Sequence, residues 1–99
     1  MRGQIFQSLK PLDAAGVAEI DIVVPSGASR LTVRIFDPDG PLICTLADEI
    51  RPTAGARVLS WSGTDGQGRP VPVRSHICRV TVDDYSESRL VCVDRAAPR

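Results

Sequence analysis

Beyond Gly16 the sequence sustains no apolar stripe at helical spacing. It breaks instead into short runs rich in β-branched residues, divided by clusters of Gly, Pro, Asp and Ser. Turn signals recurring at about every 8 to 12 residues are the pattern of an all-β domain. The predicted strands are Glu19 to Val24, Arg30 to Asp37, Pro41 to Ala47, Ala56 to Ser62, His76 to Asp83 and Ser88 to Asp94, with a short extra strand around Arg69 to Val73. Between them stand Pro25-Ser26-Gly27, Asp37-Pro38-Asp39-Gly40, Pro52-Thr53-Ala54-Gly55, Gly63 to Gly68 and Asp83-Asp84-Tyr85-Ser86. Pro presets φ in such turns, Gly supplies positive φ, and Asp accepts hydrogen bonds from its own turn.

Alternation assigns the faces. Leu31, Val33 and Ile35 share one face of their strand while Thr32 and Arg34 share the other, as a half-buried antiparallel strand requires. The same rule points Leu42, Cys44 and Leu46 inward, with Cys78, Val80 and Val82, and turns Arg79, Thr81 and Asp83 to solvent. A sheet with one apolar face must be covered, and without a helix a second sheet must do it. The expected fold is therefore all-β, an immunoglobulin- or fibronectin-III-like antiparallel β-sandwich of six to seven strands. At 99 residues the chain holds one small core. The sandwich is expected over 17–95, preceded by an arm, 1–16, and followed by a short tail, 96–99. The arm lacks period-2 alternation but carries Ile5, Phe6, Leu9 and Leu12, large apolar side chains that a small sandwich has little room to bury. They are expected to enter a partner's groove, with Arg79 and Arg89 as a polar rim; the alternative is that the arm folds back as an extra edge strand on the sandwich or stays disordered.

Twelve Lys and Arg balance twelve Asp and Glu, so the overall basic field that nucleic-acid binding needs is absent. The longest apolar run is four residues, Leu90 to Val93, far short of the roughly 20 of a spanning helix. No transmembrane segment is expected, though a membrane-bound partner stays open. The N-terminus has no secretory h-region, so the cytoplasm is the default, with signal-independent export the route elsewhere. Charge is divided unevenly: residues 1–50 sum to −3 and residues 51–99 to +3, which suits self-complementary or acidic partners.

No catalytic constellation is present. His76 is the only histidine, and no Gly-x-Ser-x-Gly or phosphate-loop motif occurs. It reads as an ordinary strand-edge residue. Cys44, Cys78 and Cys92 lack Cys-x-x-Cys spacing, so no metal site and no cofactor is expected. Cys44 and Cys78 read as buried thiols; a last hairpin symmetric about Tyr85 would set Cys78 opposite Cys92, within reach of a disulfide. Asp37-x-Asp39-Gly40 and Asp65-Gly66 read as turn chemistry rather than calcium loops, lacking the remaining ligands. Four aromatic residues are too few for a stacking platform on sugars or bases. Phe36 falls on the parity opposite Val33 and Ile35, so it is either absorbed by a bulge or exposed as a contact.

The order of these elements, with Trp61-Ser62-Gly63-Thr64-Asp65-Gly66-Gln67-Gly68-Arg69-Pro70-Val71 at its centre, resembles the immunoglobulin-like domain of bacterial flagellar hook-capping proteins over Arg30 to Val93. Ser62, Ser75 and Ile77 depart from that pattern. Trp61, Gly63, Asp65, Gly66 and Gly68 are its structural signature. The resemblance implies a structural or binding module, and the expected function is a non-catalytic accessory subunit that binds other proteins in a larger assembly, as a stand-alone relative of that module; a flagellar hook-cap-like or cell-surface scaffold module is the alternative. A polysaccharide-binding module is the alternative of another class.

Overall fold

The computed structural model describes residues 4–11 and 16–93. Seven strands follow one another: β1 Phe6–Lys10, β2 Ala18–Val24, β3 Arg30–Phe36, β4 Leu42–Ile50, β5 Gly55–Trp61, β6 Ser75–Val82 and β7 Tyr85–Cys92. They form two antiparallel sheets, β1-β2-β5 and β4-β3-β6-β7, packed as a sandwich. The expected fold is the observed one. Among the described residues no helix is long and apolar enough to cross a membrane. The Arg69 to Val73 segment makes only an isolated bridge, Thr64 to Pro70.

β3 lies between β4 and β6 with Leu31, Val33 and Ile35 fully buried, and β6 supplies Cys78 and Val80 beside them. Opposite stand Ile20, Ile22 and Val24 of β2. Each such side chain stabilises the sandwich by about 1.5–3 kcal/mol through burial.

Residues 4–10 do not form the detached arm expected. β1 pairs with β2, and Ile5 and Phe6 are buried at 3% and 2% exposure. The missing alternation has a physical cause: the register shifts between Phe6 and Ser8, and the extra residue lets Phe6 and Leu9 face inward from unlike parity. Leu9 packs against the core; Leu12 and the 96–99 tail lie outside the described residues. Ile5 and Phe6 are thus unavailable to a partner's groove.

β1 is held to the other sheet by one carboxylate. Glu87 of β7 accepts the N–H of Ile5 at 2.9 and 3.1 Å, the N–H of Phe6 at 2.9 Å and the Tyr85 hydroxyl at 2.6 Å. Arg89, expected to rim a docking groove, lays its guanidinium 5.1 Å from the centre of the Phe6 ring. Across the opposite opening, Arg57 of β5 pairs with Glu49 of β4 at 2.5 Å.

Bulges also correct β4. Its register against β3 shifts between Val33 and Arg34 and again between Ile35 and Phe36, leaving Leu46 and Ile43 as extra residues. Cys44 and Leu46 remain half-buried, but Leu42 turns outward at 52% exposure. The last hairpin turns on Asp83 and Asp84, not on Tyr85, with Asp83 at φ 55°, as the tight two-residue hairpin turn needs. Cys92 then faces Ser75 and Cys78 faces Arg89, so the Cys78–Cys92 disulfide is ruled out and all three cysteines are free.

Burial pushes the Glu87 carboxyl up, but the Phe6 N–H, the Tyr85 hydroxyl, the Ile5 N–H and Arg89 outweigh it and hold it below the usual range. A folded value lowered below the unfolded one contributes stability above the unfolded value and loses it as pH falls through the folded value. Glu87→Gln should therefore lower Tm by roughly 5–10 °C at neutral pH, a loss of about 1–2 kcal/mol. The gap from the parent should close as pH falls below the ordinary carboxylate range, read by thermal melts across pH.

Cys78 is buried, which with Cys44 nearby pushes its thiol up to about 12, whereas Cys92 is exposed. Burial also raises Cys44. Ellman's reagent should titrate one thiol rapidly in the native chain, lost in Cys92→Ser, and three only after denaturation.

Candidate functional site

The signature loop is built around itself. Trp61, 2% exposed at the end of β5, donates its Nε1–H to the Thr64 carbonyl at 2.9 Å. Its ring meets His76 edge-on, with centroids 5.7 Å apart. His76 is accordingly no strand-edge residue. It is fully buried on the inner face of β6, Nδ1–H donating to the Arg74 carbonyl at 3.1 Å and Nε2 without a partner. The sequence hid this because polarity argues for exposure, while parity with Cys78 and Val80 argues for the core.

Asp65 accepts the backbone N–H groups of Gln67 (2.9 Å) and Arg69 (3.0 Å), and Arg69 Nε lies at 3.3 Å. The Arg69 N–H, then the Gln67 N–H, hold its carboxyl below the usual range. Gly63 and Gly68 turn at φ 77° and 82°, and the Gly66 N–H donates to the Ile43 carbonyl at 3.0 Å, docking the loop on β4. The carboxylate the motif offers is engaged by its own loop. Asp37 is likewise engaged, accepting the Asp39 N–H at 2.8 Å, with Arg74 within 4.0 Å of both carboxylates. Among the described residues no three His, Cys, Asp or Glu gather to hold a metal.

The face that offers binding chemistry is the outer side of the four-stranded sheet. Register places Leu42, Phe36, Ile77 and Leu90 in one row across β4, β3, β6 and β7. Leu42 and Leu90 are 52% and 65% exposed, and Phe36 and Ile77 are half-buried. The next row holds Thr45, Arg34, Arg79 and Ser88. Two arginines thus stand directly opposite each other on adjacent strands, an arrangement that costs up to about 1 kcal/mol. Among the described residues neither makes an ion pair. Arg34 Nε is buried with no partner, and Arg79 stacks its guanidinium 5.3 Å from the Phe36 ring and donates to Ser88 Oγ at 3.3 Å. Beyond them an open hollow of about 210 Å³ is lined by Arg30, Thr32, Arg34, Thr81 and Asp83.

Of the expected contact residues the structure brings Phe36 and Arg79 together on this face; Ile5, Phe6, Leu9 and Arg89 serve the β1 seam instead. Sequence reasoning missed Arg34, Leu42, Ile77 and Leu90 as a group. Alternation marks Arg34 as outward, but only strand register aligns it with Arg79.

The protein-family model of the FlgD Ig-like domain matches residues 7–86. The fold is similar to that of FlgD from Xanthomonas campestris, whose structure was described for hook capping in flagellar assembly, at TM-score 0.59 and 19% identity over 89% of this chain and 63% of that one. FlgD from Pseudomonas aeruginosa gives TM-score 0.57 and 17% identity over 87% and 65%. This chain spans less than two thirds of either. At these identities the likeness establishes the fold. No curated protein matches.

Removing one of two facing arginines relieves repulsion and one unpartnered buried nitrogen. Arg34→Thr should raise Tm by a few degrees, with a stabilisation of up to about 1 kcal/mol. A fall in Tm would mark Arg34 as a structural residue and not a contact held at a cost to the fold.

Proposed function

The chain belongs to the FlgD Ig-like domain family, and from that premise we propose that it is a non-catalytic structural module that binds other proteins within a scaffold of the hook-cap type. The observation that carries this reading is the outward apolar row Leu42, Phe36, Ile77 and Leu90, edged by Arg34 and Arg79. Apolar side chains crossing four strands, rimmed by arginine, have the composition of an interface core. Exposed together, they gain burial only against another molecule. The polysaccharide alternative lacks its platform: Trp61 and Phe6 are buried, and Phe36 is half-buried under Arg79. Signal-independent export is the route by which such a module reaches an assembly outside the cell.

The test is capture from a flagellated bacterium by the tagged chain. Hook or hook-cap subunits should be enriched at near-stoichiometric yield and lost with Leu90→Asp, whose position at 65% exposure spares the core. Retention on polysaccharide resin without enrichment of those subunits would overturn the reading.

A further inference from the structure

The outer faces of the two sheets carry opposite unpaired charge. On the three-stranded sheet Val23 lies beside Ala56, and two residues along, Asp21 lies between Ser8 and Val58; beyond it Glu19 lies between Lys10 and Ser60. Val23 and Val58 are 38% and 62% exposed. Lys10 pairs with Glu19 at 3.6 Å, whereas Asp21 accepts only the Ser8 hydroxyl, at 2.9 Å, and meets no cation among the described residues. Rows on one face of a sheet recur at about 6.8 Å. Each outer face therefore presents apolar side chains beside charge: Val58 opposite the Asp21 carboxylate on the narrower sheet, and the Phe36 row next to the Arg34 and Arg79 guanidinium groups on the wider.

We propose that the outer face of the three-stranded sheet of one copy packs on the outer face of the four-stranded sheet of a second copy. Val23 and Val58 then cover part of the Leu42, Phe36, Ile77 and Leu90 row, and Asp21 meets Arg79 and Arg34. Carboxylate and guanidinium pair by two parallel hydrogen bonds, and the partner supplies the neutralising charge that the facing arginines lack. Pairing two identical basic faces would instead set four arginines against each other. The contact is heterologous, so each added copy leaves both kinds of face open and association continues unless a ring closes. An interface of three strands on four falls at the small end of specific contacts, below about 1,200 Å², so it is weak for a single pair. This deepens the binding-module reading by naming a second copy as one partner.

Sedimentation equilibrium of the chain tests it. The weight-average mass should rise with concentration in low salt and return towards the monomer at 1 M salt, where the screening length falls to about 3 Å. Arg79→Glu and Asp21→Arg should each weaken association about tenfold or more, with circular dichroism unchanged. Mixed together, the two variants should recover association, because the acidic face that one keeps meets the basic face that the other keeps, and the two reversed charges also meet as opposites. A monomer throughout the range up to about millimolar, or variants that associate like the parent, or a mixture that stays monomeric, would each overturn the inference. Capture of hook-type subunits by a chain that sediments as a monomer leaves the module reading standing and removes this one.

Discussion

Two sheets of unequal width share one core, and this constraint shapes the rest. Four strands present an inner face that β2 and β5 alone would leave partly in water, so β1 is drawn in as a third strand although its sequence has no strand pattern. Both openings of the sandwich are then closed by polar groups. Glu87 provides one through hydrogen bonds to Ile5 and Phe6, and the Arg57–Glu49 pair provides the other. Carboxylates suit this task because a charged acceptor forms the stronger hydrogen bond and remains reachable by water at the rim.

The fold was legible wherever the pleat ran unbroken. In β2 and β6 every second residue is buried, β3 adds only Thr32 to its alternating inward row, and reading alternate side chains recovers the core. Where a bulge adds a residue the same rule inverts, as at β1 and twice along β4, which is why Leu42 was assigned inward and is outward. Bulges depend on how two strands meet, which one strand's sequence does not state. At the last hairpin no bulge intervenes; the turn centres between Asp83 and Asp84, one and a half positions before Tyr85, and that separates Cys78 from Cys92. His76 failed for another reason. A polar ring against Trp61 at the end of the core obeys parity and breaks hydropathy, and parity won.

The candidate site was legible only in parts. Phe36 and Arg79 stood out singly, but a binding face here is a property of register: Leu42, Phe36, Ile77 and Leu90 span 55 residues of sequence and one row of sheet. The facing arginines are the clearest local conflict in the molecule, and conflicts that the fold does not repay gather where a protein meets something else. By contrast the Trp61 to Val71 signature, the most specific sequence motif, is occupied with its own turn geometry. It identifies the family, and the surface proposed for recognition lies instead on the flat faces.

The Ile5–Glu87 hydrogen bonds join positions 82 residues apart. During synthesis β1 must therefore wait for β7 to appear. Until β7 is made, Ile5 and Phe6 have β2 to pair with but no acceptor for their main-chain donors and no guanidinium over the Phe6 ring. A nascent chain halted before residue 87 holds an unfinished sandwich with its first strand loosely seated. The seam between β1 and β7 closes only once both strands have been made, so this contact, far apart in sequence, is a late one in the assembly of the sandwich.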